Sequence, residues 1–181
     1  MRLFIAIDIP EDVKAALDSF QKRLRSTAKI TWSPVANLHI TTKFIGEIPE
    51  ERFDEIKAAL AGVPAAGSIA IQVKGIGWFP NERRPRVFWA GVDGGEPLRE
   101  LAKATERALL PLGVAADERP YAPHLTLARI RESVPLEPLH SALQSLPAGC
   151  GFDFGAFRAD KFFLYLSAGG KYTQLAGYPL D

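Results

Sequence analysis

This chain of 181 residues contains little cysteine, little histidine and almost no net charge. Cys150 is its single cysteine, so an intramolecular disulfide and a zinc site built from several thiolates are both excluded. We expect this thiol to be buried and without a role. Lysine and arginine total 22 against 21 aspartate and glutamate, a net charge of +1. Proteins that grip long duplex nucleic acid carry a large basic excess, so any nucleic acid bound here is expected to be short.

Long hydrophobic runs are also missing from the chain. No stretch approaches the roughly 18 apolar residues of a membrane-spanning helix. The segment from Met1 to Asp8 is apolar but too short for a signal peptide, and Glu11 and Asp12 follow where such a peptide would continue. Apolar residues make up 47% and charged residues 24% of the chain, which is ordinary for a globular domain. We therefore expect a globular cytoplasmic protein that makes no contact with a membrane.

Hydrophobic periodicity predicts a mixed α and β protein. Short runs rich in alternating or β-branched residues predict strands at 3–8, 38–45, 69–76, 86–92, 124–129, 153–166 and 172–179. Apolar residues at helical spacing predict helices from Pro10 to about residue 25, from Pro49 onward, at 96–112 and at 136–146. Proline followed by acidic residues is typical of a helix start, because acidic side chains stabilise the positive end of the helix dipole.

The order of these elements repeats once along the chain. His39 corresponds to His124 at a spacing of 85 residues, and Phe4 corresponds to Phe88 at a spacing of 84. We therefore expect an α+β fold with two pseudo-symmetric lobes, each an antiparallel sheet with helices on its outer face. A single bilobal domain would cover residues 1–181, with repeat units of about 1–85 and 86–171 and a final strand at about 172–179. The active-site cleft would lie between the lobes.

Two of the three histidines are followed at the second position by threonine, although threonine is only 7 of 181 residues. The two motifs are His39-Ile40-Thr41-Thr42 and His124-Leu125-Thr126-Leu127. Residues i and i+2 of a strand point to the same face, so each histidine should share a face with its threonine. A twofold axis between the lobes would bring both pairs to one cleft.

These residue types suit acid–base chemistry at phosphorus. Histidine has an ordinary pKa near 6.5, so two histidines can hold opposite protonation states near neutral pH, one taking a proton from water and one giving a proton to a leaving oxygen. Threonine hydroxyls can donate hydrogen bonds to phosphoryl oxygens. A metal site is the other interpretation of two histidines, but no third histidine, cysteine or close carboxylate accompanies either motif. His140 lies on a predicted helix and is interpreted as a packing residue.

The chain resembles the 2H phosphoesterases and, among them, the LigT-like branch called RNA 2′,3′-cyclic phosphodiesterases or 2′-5′ RNA ligases. The resemblance covers nearly the whole length and is carried by residues 2–7, 37–46, 78–80, 85–89, 123–129, 164–167 and Tyr172. Thr42 departs from the family, which usually has an aliphatic residue there. Its side chain should face away from the cleft, so we expect no loss of activity.

The resemblance implies a reaction and a role for each site residue. His39 would be the acid and His124 the base in opening an RNA 2′,3′-cyclic phosphate to a 2′-phosphate, and the reverse reaction would form a 2′-5′ linkage. Thr41, Thr126 and Arg129 would bind the phosphate, and Phe44 would stack on a terminal base. Arg129 could instead be a surface arginine at a strand end, and Phe44 could instead be packed in the core.

The remaining expectations concern partners and alternatives. We expect a monomer with no metal ion and no cofactor, and RNA ends or short oligonucleotides as its substrates. Flanking phosphates could be received by Lys43, Arg83, Arg84, Arg86 or Arg131. Two alternatives stay open: a related phosphodiesterase acting on a small cyclic nucleotide or an ADP-ribose cyclic phosphate, and a non-catalytic RNA-binding relative.

Overall fold

Nine strands and four α-helices are found in residues 1–147 and 152–181, the part of the chain that the computed structural model describes. Cys150, for which we predicted a buried thiol, lies outside the described residues. The strands are β1 (Arg2–Asp8), β2 (Thr31–Trp32), β3 (His39–Glu47), β4 (Ile69–Phe79), β5 (Val87–Asp93), β6 (His124–Arg129), β7 (Asp153–Ala159), β8 (Lys161–Ala168) and β9 (Lys171–Pro179). The helices are α1 (Glu11–Leu24), α2 (Phe53–Ala61), α3 (Gly95–Leu109) and α4 (Glu137–Gln144).

Helix α1 begins where the sequence predicts. Pro10 is its N-cap residue, Glu11 and Asp12 occupy the first turn, and Lys22 and Arg23 occupy the last turn. Both sets of charges complement the helix dipole. The apolar residues at helical spacing form its buried face: Val13, Leu17, Phe20 and Leu24.

The single strand predicted at 153–166 is wrong, because the chain forms two strands there. β7 ends at Ala159 and β8 begins at Lys161, and the two strands belong to different sheets. Asp160 lies between them, and its carbonyl oxygen accepts a hydrogen bond from the Leu180 N–H. Periodicity does not reveal this crossing, since the apolar pattern continues from one strand into the next.

The strands form two sheets, and every pairing within them is antiparallel. The first sheet has the order β3-β1-β8-β9, and the second has the order β2-β6-β5-β4-β7. This confirms the predicted α+β class with two antiparallel sheets.

Sheet membership does not follow the two halves of the sequence. β4, from the first half, pairs with β5 and β7 in the second sheet. β8, from the second half, pairs with β1 in the first sheet. Each sheet therefore needs strands from both halves, and the division into repeat units of about 1–85 and 86–171 stays a prediction.

The two sheets share one hydrophobic core. Leu3, Ile5 and Ile7 of β1 belong to the same buried cluster as Phe88 and Ala90 of β5. Helices connect the sheets as well, since α1 packs against β7 while α3 packs against both β3 and β4. One face of each sheet is thus occupied by the core.

The opposite face of β1 carries a small separate cluster of Phe4, Ala6 and Tyr165. Phe4 therefore does not correspond to Phe88, which lies in the main core. The correspondence of Phe4 with Phe88, at a spacing of 84 residues, is therefore wrong. A shift of one residue along a strand moves the side chain to the opposite face, which accounts for the difference.

Gln21 on α1 is fully buried and joins the helix to the second sheet. Its side-chain Nε2 donates hydrogen bonds to the carbonyl oxygens of Ser33 at 3.2 Å and Leu127 at 3.0 Å. Leu127 lies in β6, directly after Thr126. The helix thereby supports the strand that carries the second motif.

Replacing Gln21 with Met keeps the side-chain size but removes both of these hydrogen bonds and the one that Gln21 Oε1 accepts from Arg25 Nη2 at 3.2 Å. We expect the free energy of unfolding to fall by about 1–3 kcal/mol, because three hydrogen bonds of a buried side chain are lost, although the Leu127 carbonyl oxygen keeps the Ser33 N–H as a donor. Urea-induced unfolding followed by tryptophan fluorescence measures the change. Gln144→Met, on the exposed face of α4, is the matched control. Equal stability of the two variants would contradict the assigned role of Gln21.

Candidate active site

Both motifs line one cleft of about 540 Å³ between the two sheets. His39 and Thr41 come from β3 of the first sheet, and His124 and Thr126 come from β6 of the second sheet. The four side chains predicted to meet therefore share a single cavity.

Strand alternation explains why these side chains reach the cleft. Ile40 and Leu125, between each histidine and its threonine, are both 0% exposed and lie in the shared core. Thr42 is buried too, with its hydroxyl donating to the Ile5 carbonyl oxygen at 3.3 Å. As predicted, Thr42 does not line the cleft.

A β-bulge follows the threonine in both motif strands. On β3, Ala6 pairs with Thr41 and Ile5 with Lys43, so Thr42 is the extra residue. On β6, Trp89 pairs with Thr126 and Phe88 with Ala128, so Leu127 is the extra residue. An extra residue reverses the alternation of faces beyond it.

The bulges decide which side chains follow each motif into the cleft. Phe44 and Arg129 both lie five residues after a histidine, and regular alternation would turn both away from it. Beyond the bulges, both line the cleft instead. Phe44 is 58% exposed at the rim, so core packing is excluded as its role.

Lys43 was predicted as a possible phosphate-binding residue, and this is wrong. The bulge turns it inward, where its side chain is 1% exposed. Its Nζ lies 3.0 Å from Glu106 Oε2 and 2.9 Å from Asp117 Oδ1, and it donates to the Ala115 carbonyl oxygen at 2.8 Å. Lys43 thus anchors the segment before the second motif to the strand of the first.

A second contact joins the same segment to β3. The Tyr121 hydroxyl donates to the Thr41 carbonyl oxygen at 3.0 Å, and burial raises the pKa of this phenol, so it remains a donor. Tyr121 lies three residues before His124. Together with Lys43, it fixes the position of one motif relative to the other.

Both imidazole rings are held in the same way. His39 Nδ1 lies 2.6 Å from the Asn37 carbonyl oxygen, and His124 Nδ1 lies 2.8 Å from the Ala122 carbonyl oxygen. A carbonyl oxygen only accepts, so Nδ1 carries the proton in each hydrogen bond. Nε2 of each neutral ring is consequently free to accept a proton.

Sequence reasoning missed these partners because they are backbone carbonyls, which any residue supplies. Asn37 also uses its side chain, whose Nδ2 donates to the Gly170 carbonyl oxygen at 2.9 Å. This bond ties the segment before the first motif to the turn between β8 and β9. Tyr172 follows that turn and lines the cleft.

Burial lowers the pKa of both histidines from the ordinary value. The hydrogen bond to the Asn37 carbonyl and the charge of Asp8 act in the opposite direction on His39. For His124 only the hydrogen bond to Ala122 opposes the effect of burial, and the charge of Arg129 lowers the pKa further. Both rings are therefore largely neutral at pH 7 when the cleft is free of ligand.

The surroundings of the two rings differ. His39 packs in an edge-on contact with Tyr172 at 5.1 Å between ring centroids and lies 4.7 Å from Phe4. His124 makes one such contact, edge-on to Phe79 at 4.9 Å. Their cross-strand partners differ as well: Asp8 lies opposite His39, whereas Gly91 lies opposite His124.

The cleft carries positive charge although the whole chain is nearly neutral. Arg2, Arg129 and Arg131 line it, and the described residues of its lining include no carboxylate. Arg129 is exposed at the end of β6. A cavity of this composition favours an anionic ligand.

His140 lies outside this cleft. It packs against the Trp78 ring at 5.2 Å, and its Nδ1 is 3.6 Å from Glu82 Oε1. Packing was predicted for it, but Glu82 is a polar neighbour that the sequence did not reveal. Within residues 1–147 and 152–181, no three His, Cys, Asp or Glu side chains are grouped so that they could hold a metal ion.

The sequence matches the family described as LigT like Phosphoesterase twice, over residues 7–89 and 92–170. It is 37% identical over 167 residues to an RNA 2′,3′-cyclic phosphodiesterase of Methanocaldococcus jannaschii, covering 92% of this chain and 91% of that protein. It is 33% identical over 183 residues to one of Geobacillus stearothermophilus, covering 98% of this chain but only 56% of the relative.

Solved structures share the fold. A Thermus thermophilus protein matches with a TM-score of 0.79 at 30% identity, covering 99% of this chain and 98% of that one. Escherichia coli LigT in complex with 3′-AMP matches with a TM-score of 0.74 at 23% identity, covering 99% and 97%. Among the described residues, no helix is both long and apolar enough to cross a membrane.

The environment of the two rings predicts how they titrate. Both should titrate below the ordinary value of 6.5, because burial disfavours their charged forms. At higher pH both should hold the proton on Nδ1. Nitrogen-15 NMR of the ring nitrogens across a pH series measures both properties, with the urea-unfolded chain as the control. A ring titrating above its unfolded value, or protonated on Nε2 when neutral, would contradict the described geometry.

Proposed function

The chain belongs to the LigT-like phosphoesterase family, and from this membership we propose that it hydrolyses RNA 2′,3′-cyclic phosphate ends to 2′-phosphates. The observation that carries the proposal is the pair of His/Thr motifs lining one positively charged cleft, with each Nε2 left free by the hydrogen bond at Nδ1. Relatives named RNA 2′,3′-cyclic phosphodiesterases match over most of the chain and support the same reaction.

In the proposed reaction, His124 Nε2 takes a proton from water as the water oxygen attacks phosphorus. The bond from phosphorus to O3′ breaks, the bond to O2′ remains, and protonated His39 gives its Nε2 proton to O3′. Thr41 and Thr126 donate hydrogen bonds to the non-bridging oxygens, where charge accumulates in the transition state. Arg129 offsets the same charge. The product is a 2′-phosphate with a free 3′-hydroxyl.

The same geometry serves a second nucleophile. A 5′-hydroxyl of a second RNA end can replace water as the nucleophile, which gives a 2′-5′ linkage. The groups that take and give protons are unchanged, because the attacking group is again a hydroxyl. Ligation is therefore the companion activity of the proposed hydrolase.

The cross-strand neighbours support the assignment of acid and base. Directly opposed residues of an antiparallel pair have side chains on the same face, so Asp8 lies beside His39. Its negative charge raises the pKa of His39, whereas Gly91 offers no charge to His124. Asp8 therefore favours the placement of a shared proton on His39, whereas burial disfavours the charged form of both rings.

The proposal involves no metal ion and no cofactor, since both proton transfers use the two imidazoles. It further takes the protein to be cytoplasmic, and to act as a monomer because both motifs come from one chain. Incubation with a chelator should leave the rate of cyclic phosphate hydrolysis unchanged. Strong inhibition that added metal reverses would overturn this part of the proposal.

Replacing either motif histidine with alanine tests the catalytic role. We expect His39→Ala and His124→Ala each to lower kcat on an RNA 2′,3′-cyclic phosphate by about 10²–10⁴-fold, because each removes one proton-transfer group. His140→Ala is the matched control and should retain the wild-type rate. Chromatography of the products measures turnover. Full activity in both motif variants would contradict the catalytic role of the two histidines. A wild-type protein without turnover would leave a non-catalytic RNA-binding role instead.

Replacing Asp8 with Asn tests the acid–base assignment. The asparagine side chain would keep an oxygen to accept the Ile9 N–H hydrogen bond that Asp8 accepts at 2.9 Å. Loss of the negative charge lowers the pKa of His39, so the acid loses its proton at lower pH. We expect the alkaline limb of the kcat/KM profile to move to lower pH while the acid limb stays in place.

Other charged and titratable groups near His39 are retained in that variant: Lys14 on α1, His124 and Arg129 on β6, Tyr165 on β8 and Tyr172 on β9. Asp12→Asn, on the exposed side of α1, is the control for loss of one carboxylate. Movement of the acid limb instead would make His39 the base. An unchanged profile would contradict the effect of Asp8 on the pKa of His39.

A further inference from the structure

A second, smaller cavity of about 200 Å³ adjoins the cleft. The two cavities share Arg129 and Arg131 in their linings. Lys29 completes its basic wall, and Glu132 is the one carboxylate among the described residues that line it. Its lining thus combines three cationic side chains with one anionic side chain.

The short pairing of β2 with β6 builds this cavity. Thr31 of β2 pairs with Arg129 of β6, so Lys29 before β2 and Arg131 after β6 lie at the same edge of the sheet. Two hydrogen bonds hold the segment after β6. The Ile130 N–H donates to the Arg86 carbonyl oxygen at 2.9 Å, and the Arg86 side-chain Nη1 donates to the Arg131 carbonyl oxygen at 3.3 Å. The main chain that carries Arg131 is therefore held beside β5.

The cationic groups of this wall are available to a ligand. Within the described ranges, no carboxylate oxygen lies within 4.0 Å of the charged nitrogens of Lys29, Arg129 or Arg131. Lys43, in contrast, has its charge satisfied by two carboxylates. Lys43 is thus a buried structural residue, whereas Lys29, Arg129 and Arg131 are exposed and can contact a ligand.

The two ends of the cleft have different chemistry. In β3, the Phe44 ring lines the cleft five residues after His39. In β6, the Arg129 guanidinium lines it five residues after His124. An aromatic ring suits a nucleobase, and a guanidinium suits a phosphate. A nucleotide bound with its reacting phosphate between the histidines would direct its base toward Phe44 and its backbone toward Arg129.

We propose that the second cavity binds the phosphodiester that joins the terminal nucleotide to its upstream neighbour. Lys29 and Arg131 would contact this phosphate while Arg129 lies between it and the reacting cyclic phosphate. This inference rests on the proposed function and narrows its substrate class to RNA oligonucleotides. A nucleoside 2′,3′-cyclic phosphate has no upstream phosphodiester and leaves the cavity unfilled.

Comparison of two substrates tests the inference. One is a nucleoside 2′,3′-cyclic phosphate, and the other is a dinucleotide ending in the same cyclic phosphate. The wild-type protein should show the higher kcat/KM on the dinucleotide. Lys29→Gln should lower kcat/KM on the dinucleotide about tenfold and leave the mononucleotide rate unchanged, because a charged hydrogen bond to the upstream phosphate is lost. Lys29→Glu should lower the dinucleotide rate further.

The salt dependence provides a second readout. Each phosphate contact on a single strand contributes a slope of about −0.7 to the dependence of log affinity on log salt, so Lys29→Gln should flatten the dinucleotide slope. A dinucleotide with a neutral methylphosphonate linkage should behave in the wild-type protein as the normal dinucleotide does in Lys29→Gln. Arg107→Gln, on the exposed face of α3 and in neither cavity, is the control.

The outcomes separate the two proposals. Equal rates on both substrates, with no effect of Lys29→Gln, would overturn the second cavity as a phosphate site and leave the hydrolase intact. A wild-type protein that hydrolyses neither substrate would overturn the proposed function itself. An equal loss on both substrates in Lys29→Gln would also overturn the inference, since the residue would then act on the reacting nucleotide or on the fold.

Discussion

The shared hydrophobic core is the constraint from which the arrangement of the cleft follows. Each sheet buries one face in that core, so the side chains on the opposite face have no apolar partner layer and meet across the cleft. Because successive side chains of a strand point to opposite faces, Ile40 and Leu125 lie in the core, and the histidine and threonine of each motif line the cleft. β4 of the first half of the chain pairs with β5 of the second half, and β8 of the second half pairs with β1 of the first. Neither sheet can therefore form from one half of the chain alone.

The two motif strands are nearly symmetric, and each provides one histidine. The differences between the surroundings of the two histidines give them different roles. Both rings are held through Nδ1 by a carbonyl two residues earlier, and both motif strands carry a bulge after the threonine. Asp8 opposite His39 and Gly91 opposite His124 make the two environments electrostatically different. Phe44 and Arg129 do the same for the two ends of the cleft. A substrate with a base at one end and a chain of phosphates at the other matches this polarity.

Much of this could be predicted from the sequence, because short motifs and strand alternation are local properties. The spacing of His39 and Thr41 was enough to place both on one face, and Pro10 with its acidic neighbours was enough to begin α1. The bulges could not be predicted, since no glycine or proline marks them, and the bulge in β3 turned Lys43 into the interior, against its expected role as a phosphate contact. The break at Asp160 was missed for a related reason: the choice of sheet depends on tertiary pairing that the apolar pattern does not encode.

The central claim is that two histidines and two threonines hold one phosphate between the sheets. A crystal structure with a nucleoside 2′-phosphate, the proposed product, tests this directly. We expect Nε2 of His39, Nε2 of His124 and both threonine hydroxyls to lie within about 2.6–3.2 Å of oxygens on the phosphate or the freed 3′-hydroxyl. A phosphate bound elsewhere on the protein, or contacted by only one of the two motifs, would contradict the account.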